Sequence, residues 1–193
     1  MEKLIEQTIG MIEKIMKKKG SCIIAIDGRC ASGKSTFADL LKKRTGGSLV
    51  HMDDFFLRPE QRTKERYQTP GENVDHERFK EEVLIPLANK EKIAYHPFDC
   101  NIMEISDREL YADGSGLVII EGSYSFHPEL REYYDLKIFL HVSPEKQMER
   151  IEKRNPDKAE VFRTRWIPYE ELYFSSCRIS ELADVVFDTT NLF

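Results

Sequence analysis

Residues 28–35 read Gly-Arg-Cys-Ala-Ser-Gly-Lys-Ser, directly after the apolar run Cys22-Ile23-Ile24-Ala25-Ile26. Nothing else in the chain constrains its fold as tightly. A buried strand that ends in a glycine-rich turn and opens a helix points successive backbone N–H groups at one anion. The helix N-terminus adds its dipole. The pattern G-x-x-x-x-G-K-S in this setting predicts a nucleotide phosphate site for ATP. Gly28, Arg29, Cys30, Ala31, Ser32 and Gly33 form the cradle, and Lys34, Ser35 and Thr36 open the helix. Lys34 is placed to reach the β- and γ-phosphates, and the Ser35 hydroxyl to hold Mg²⁺.

Four further apolar runs have the length and composition of buried parallel strands: Leu49–Met52, Leu117–Ile120, Leu136–His141 and Val185–Phe187. Helical patterns lie between them at about Ser35–Arg44, Asp75–Asn89, Pro128–Tyr133 and Pro144–Arg154, with a further one inside Ala159–Phe174 that Pro168 interrupts. Strands alternating with helices predict an α/β domain of three layers, a mostly parallel five-stranded sheet with helices on both faces, as in P-loop NTPases. At 193 residues the chain is long enough for one such domain, spanning 1–193. Leu4, Ile5, Ile9, Ile12, Ile15 and Met16 recur at helical spacing, so an amphipathic helix over about 1–19 packs on the sheet. The stretch Arg58–Asn73 has Pro59, Pro70 and Gly71 and no apolar period, and reads as a loop. Lys92–Phe98 and Ile102–Tyr111 break the strand–helix rhythm as a hairpin, so about 58–113 forms an excursion beside the site.

A net charge of −5 argues against a nucleic-acid partner. Cys22, Cys30, Cys100 and Cys177 form no C-x-x-C pair and read as reduced thiols of a cytoplasmic protein. Glu2, Glu6 and Glu13 interrupt every apolar run near the start, so neither a signal peptide nor a membrane partner is expected. A homo-oligomer is compatible with the sequence, which does not specify one.

Open α/β sheets bind ligands beyond the carboxyl ends of their strands. Asp53 and Asp54 end the second apolar run, and Glu121 ends the third. A metal ion or an attacking hydroxyl would sit there, so Asp53 and Glu121 join Ser35 as candidate metal ligands. Phosphoryl transfer also needs cations on the transferred group. Arg150 and Arg154 are four apart on one helix and share a face, as lid residues would. A salt-bridged surface face, with Glu145, Glu149 and Glu152 nearby, explains them equally well. Cys30 lies near Lys34 and a helix N-terminus, which favours a reactive thiolate.

Met52-Asp53-Asp54-Phe55-Phe56 resembles a motif of uridine kinases and nicotinamide riboside kinases, and Asn73-Val74-Asp75-His76-Glu77-Arg78-Phe79 is similar to the uridine-kinase segment that opens a helix after Asp-His. Ile120-Glu121-Gly122, Asp135-Leu136-Lys137-Ile138-Phe139 and Ala183-Asp184-Val185-Val186 extend the resemblance to uridine kinase-like P-loop kinases from Ser21 to about Asp188. It implies an ATP- and Mg²⁺-dependent kinase of a small hydroxyl compound, a nucleoside first, with nicotinamide riboside, pantothenate or a sugar as alternatives. By the same resemblance Asp53 is the base, Lys34, Arg150 and Arg154 are the catalytic cations, and Asp75 binds acceptor hydroxyls. The chain departs from uridine kinases at Phe98, where they have a Tyr, and Asn101–Ser106 lacks their base-reading His. Phe98, with Tyr95 and Phe55, is left as an apolar wall for a flat ring. A regulatory GTPase is rejected: Asn89-Lys90-Glu91-Lys92 lacks the final Asp of N-K-x-D. A non-catalytic nucleotide-binding module is the remaining alternative, and Asp53 argues against it.

Overall fold

In the computed structural model, which describes residues 1–192, the strand periodicity explains the layers. β1 (Cys22–Gly28) is buried along its whole length. Its Cys22, Ile24 and Ile26 face one apolar cluster with Ile5 and Ile12 of α1 (Glu2–Lys19) and Phe37 and Leu41 of α2 (Lys34–Thr45). Its Ile23 and Ala25 face a second cluster on the opposite side, with Phe79, Leu84 and Tyr173. A strand with both faces buried must be central, and it is. With β2 (Ser48–His51), and three later strands numbered in chain order, β7 (Leu117–Glu121), β8 (Leu136–His141) and β9 (Val185–Asp188), the sheet runs β2-β7-β1-β8-β9, all pairs parallel. The five expected strands are all present, and α1 packs on the sheet as its pattern predicts. Among the described residues, no helix is long and apolar enough to cross a membrane.

The excursion is a pair of nested hairpins. β3 (Lys92–Tyr95) pairs antiparallel with β6 (Leu110–Asp113), and β4 (Phe98–Asp99) pairs with β5 (Glu104–Ile105). The polar stretch before it is not the plain loop its composition suggests. It holds a 3₁₀ turn at Pro59–Gln61 and a short helix, α3 (Lys64–Gln68), whose first turn is capped by the Thr63 hydroxyl. No apolar stripe supports α3. Arg66 does so instead, donating to the carbonyls of Glu72 and Val74 and to the Glu77 carboxylate at 2.9 Å. The helix expected over Pro128–Tyr133 shrinks to a 3₁₀ turn, Arg131–Tyr133.

Two prolines interrupt helices in the same way. α4 (His76–Phe79) continues through a π turn, Lys80–Leu84, into α5 (Ile85–Ala88), which carries Pro86 in its first turn. After α6 (Pro144–Arg154), α7 (Ala159–Val161) continues through the π turn Phe162–Trp166 into α8 (Ile167–Ser176), with Pro168 in its first turn. A proline removes one N–H donor and crowds the carbonyl four residues back. A widened turn just before it relieves both problems without a break. The expected interruption at Pro168 is therefore a bulge. A last short helix, α9 (Ile179–Leu182), leads into β9.

Candidate nucleotide and acceptor site

The loop after β1 is shaped by close approach and by one buried carboxylate. Gly28 has φ 142°, and a Cβ there would lie 2.2 Å from the Leu140 carbonyl oxygen, so no other residue fits. Asp27, fully buried, accepts from the Gly28 N–H at 2.6 Å, the Phe126 N–H at 2.9 Å and the Tyr173 hydroxyl at 2.8 Å. Burial raises its pKa to about 6, against the pull of the Phe126 N–H and of Lys34. Asp27 thus ties together the start of the loop, the turn after β7, and α8. Sequence reasoning passed over it. Its signal was there: a carboxylate closing an unbroken apolar strand must find buried donors.

Lys34 is buried, and its Nζ donates to the carbonyls of Gly28 at 2.8 Å and Arg29 at 3.0 Å and to Ser123 Oγ at 3.3 Å. The Ser35 hydroxyl donates to Glu121 Oε2 at 3.4 Å. Glu121 and His51 are register partners on β7 and β2, and Oε1 of Glu121 lies 2.6 Å from His51 Nδ1. That hydrogen bond raises the His51 pKa against its burial. Asp53 follows β2 and opens onto the same cleft. The surrounding protein raises its pKa above the usual aspartate value, the negative charge of Glu121 adds to this, and Lys34 and His51 oppose it. The parallel register accordingly brings Lys34, Ser35, Glu121 and Asp53 to one end of the sheet, as the strand-end rule predicts.

They line a cavity of about 390 Å³ whose far wall comes from α3, the excursion and the α7–α8 run. Arg154 lines it; Arg150 has a different place. The Arg150 guanidinium donates to the carbonyls of Ala31 at 3.1 Å, Thr189 at 2.7 Å and Thr190 at 3.1 Å. It fastens the phosphate loop to the segment after β9. Asp75 and Phe98 are not in the cavity wall. Asp75 caps α4, accepting from the Arg78 N–H, and takes Arg58 Nε at 3.2 Å. Phe98 is buried beneath Arg62, whose Cζ lies 5.5 Å from the ring centre. Tyr95 and Phe55 are core residues too, Tyr95 donating to Asp54 at 2.8 Å. The aromatic wall comes instead from Phe56, Tyr67, Tyr124, Phe162 and Trp166.

Glu170 of α8 was also not singled out from sequence. It is buried, and accepts from the Cys30 N–H at 2.9 Å and the Ser123 hydroxyl at 2.6 Å. Its neighbour Glu171 pairs with Arg29, and Gln147 of α6 donates to the Cys30 carbonyl at 3.1 Å. Two helices therefore grip the loop at Arg29 and Cys30. This overturns the expected Cys30 thiolate. Burial, reinforced by the Glu170 charge, raises that thiol to about 12, and Lys34 only partly opposes it. Cys22, buried in β1, is raised to about 12 as well. Cys100 alone among the four is exposed, and it lines the cavity. A thiol reagent is expected to label Cys100 several-fold faster than Cys30 or Cys22, since reactivity follows exposure and thiolate fraction. Peptide mapping after timed alkylation measures this, and faster labelling of Cys30 would contradict the geometry.

Behind the cavity, Glu72, His76 and His127 gather their ligand atoms. The imidazoles are stacked, centroids 3.9 Å apart and 16° from parallel. An imidazole nitrogen directs its lone pair along the ring plane, and two planes stacked in this way share no point within a metal–nitrogen bond of about 2 Å. His127 Nδ1 also accepts the Glu129 N–H at 3.2 Å, which leaves the proton of a neutral ring on Nε2, facing Glu72. The cluster is a hydrogen-bonded clamp. Burial, then the neighbouring His76, holds the His127 pKa well below the usual histidine range. The unfolded chain takes up that proton near about pH 6.5, so stability from a neutral His127 is lost as pH falls below it. Asp27, with its raised pKa, contributes with the opposite sign. The effect of His127 is isolated by comparing wild type with His127→Gln: from pH 7.5 to 5.5, the variant is expected to lose less stability in urea denaturation. Equal losses would count against this role.

Comparison with known proteins agrees with this fold. Over 137 residues the chain is 31% identical to the tRNA-specific adenosine deaminase subunit tad2 of Schizosaccharomyces pombe, a match covering 67% of the chain but 32% of that protein. The chain thus spans about a third of the length of this curated relative. A solved structure described as a possible uridine kinase from Bacillus stearothermophilus superposes with a TM-score of 0.69 at 23% identity, over 96% of this chain and 100% of that one. A D-glycerate 3-kinase from Cryptococcus neoformans superposes with a TM-score of 0.57 at 14% identity, over 88% of each chain. The expected uridine kinase-like P-loop fold is present. The AAA domain family model matches residues 24–168, from inside β1 to the start of α8, and the chain belongs to that family.

Proposed function

We propose that this chain is a phosphotransferase that moves the γ-phosphoryl group of ATP, with Mg²⁺, onto a hydroxyl of a small metabolite. The observation that carries this reading is the convergence of Lys34, the Ser35–Glu121 pair and Asp53 on one cavity beside the phosphate loop. The residues suit both cofactors. The loop backbone and Lys34 offer donors to a triphosphate. Ser35, Glu121 and Asp53 offer only oxygens, which suits a hard cation. When bound, Mg²⁺ would neutralise charge on the phosphates.

The chain's own residues supply the rest. Lys34 exchanges its loop carbonyls for phosphate oxygens. Arg154, which has no ion pair among the described residues, lines both the cavity and the shallow depression outside the loop, where the nucleoside end would lie. Asp53 takes the proton of the acceptor hydroxyl as its oxygen bonds to the γ-phosphorus and the bond to the β-phosphate oxygen breaks. A raised pKa makes Asp53 a stronger proton acceptor than an ordinary aspartate. Phe56, Tyr67 and Trp166 offer a wall for an acceptor with a ring, a nucleoside among them. A non-catalytic nucleotide-binding module would have little use for Asp53.

The test is acceptor-dependent ADP release from ATP and Mg²⁺, screened over nucleosides, vitamins, sugars and hydroxy acids. Tight ATP binding with no ADP formed on any hydroxyl compound would favour the binding module.

A further inference from the structure

The acceptor end of the cavity carries positive charge that the fold does not neutralise. Arg29, Arg44, Arg58, Arg66, Arg78 and Arg163 each meet a carboxylate. Arg62 meets none among the described residues, although it lines the cavity. It is held from behind: Nε donates to the Leu57 carbonyl at 2.9 Å, and the guanidinium rests on the Phe98 ring. Among the described residues the two terminal nitrogens have no hydrogen-bond partner, and the side chain lines the cleft. Lys158 lines the same cavity and has no carboxylate partner either among the described residues.

The position distinguishes Arg62 from the nucleotide-side cations. Lys34 belongs to the loop, and Arg154 follows it on the same side. Arg62 belongs to the segment that carries Asp53, and leans on the excursion. Cys100 lines the same cavity: partial loss of solvation raises its thiol pKa, Arg62 and Lys158 lower it, and Asp53 and Asp99 raise it. Arg62, Lys158 and Asp53 thus act on one corner of the cavity. Asn73 lines the cavity as well, 6% exposed, with an Oδ1 that has no hydrogen-bond partner in the protein. Asp75, the carboxylate expected to bind acceptor hydroxyls, is turned to Arg58 and its own helix.

A neutral polyol would leave the Arg62 charge uncompensated. A planar fork of donors matches a carboxylate or phosphate in two parallel bonds. Resting on the phosphotransferase reading above, we propose that the acceptor is itself an anion, a small hydroxyl compound with a carboxylate or phosphate monoester that Arg62 clamps while its hydroxyl faces Asp53. Lys158 supplies the second positive charge, and Asn73 a polar contact to the acceptor.

Matched acceptors test this with the full chain, ATP and Mg²⁺: glycerol against D-glycerate, D-ribose against D-ribose 5-phosphate, with uridine as a neutral nucleoside. The anionic member of at least one pair is expected to show a higher kcat/KM by about 10- to 100-fold, the size of a charge-assisted hydrogen bond. The glycerate and ribose 5-phosphate arms tell carboxylate from phosphate. Arg62→Gln is expected to collapse the preference, and Arg62→Lys, which keeps the charge but not the fork, to retain part of it. Neutral acceptors used as well as anionic ones, or a preference that survives Arg62→Gln, overturn the proposal. Calorimetric binding of D-glycerate and D-ribose 5-phosphate without ATP is independent of turnover. If one binds, Arg62→Gln abolishes it and no acceptor yields ADP, the anion site stands and the phosphotransferase reading falls. If neither binds while uridine is phosphorylated, the reading stands and the anion site falls.

Discussion

Lys34→Ala is expected to lower kcat for acceptor-dependent ADP release by about 10²–10³-fold, the usual cost of removing one preorganised donor from a transition state. Phosphoryl transfer asks little covalent chemistry of the protein, so fixed positive charge carries much of the rate. Lys34 is that charge. It is 8% exposed and held beside the loop by two loop carbonyls and Ser123, contacts that it exchanges for phosphate oxygens. Its removal takes one donor each from the Gly28 and Arg29 carbonyls, which keep the Ser123 hydroxyl and the Ser32 N–H, and stability is measured beside the rate. Circular dichroism and urea denaturation establish that the variant is folded. Wild-type turnover by a folded Lys34→Ala protein would falsify the central role of the loop.

Asp53→Asn keeps the shape of the side chain and removes the base. A positioned general base contributes about 10²–10⁴-fold, so kcat is expected to fall by that factor with KM little changed. The pH profile carries the sharper signature. The base works only when ionised, so kcat/KM falls as pH drops through the Asp53 pKa. Loss of solvation in the cleft and the Glu121 charge raise that pKa, which puts the acid limb above an ordinary aspartate's. Removing the Glu121 charge with Glu121→Gln is expected to move the limb to lower pH, even though weaker Mg²⁺ binding lowers the rate as well. Asp54→Asn is the control. Asp54 accepts from the Tyr95 hydroxyl in the core, so its loss is expected to cost about 1 kcal/mol of stability and little in kcat. A large kcat loss in Asp54→Asn with a mild one in Asp53→Asn would assign the base to the wrong residue.

The family resemblance suggested Asp75 for the acceptor and residue type suggested Phe98, and the structure shows why neither was enough. Asp75 stands where α4 begins, and a free backbone N–H at a helix start competes for the carboxylate. Arg58 takes its other oxygen. Phe98 sits on a two-residue strand whose partner fixes which face it presents. Arg150 and Arg154 share a helix face as their spacing says, yet one turn of helix separates a residue that holds three main-chain carbonyls from one that lines the cavity. Cys30 is similar. The charge of Lys34 was legible, but the burial and the Glu170 carboxylate that outweigh it were not.

The sequence by itself determined the parts of the protein that depend on neighbours in the chain: the phosphate loop between strand and helix, the five parallel strands, and the carboxylates at the ends of β2 and β7. Strand periodicity, glycine φ preferences and the strand-end rule are local or topological, so they can be read along a line. Only the tertiary structure decided the far wall. Glu170 reaches Cys30 across 140 positions of sequence, Tyr173 reaches Asp27 across 146, and Arg62 rests on the Phe98 ring of the inner hairpin. Which side chains meet across such separations depends on helix ends, π turns and the packing of the excursion against the sheet. Those choices follow from the summed packing and hydrogen-bond energy of the whole chain, and no local pattern carries that information.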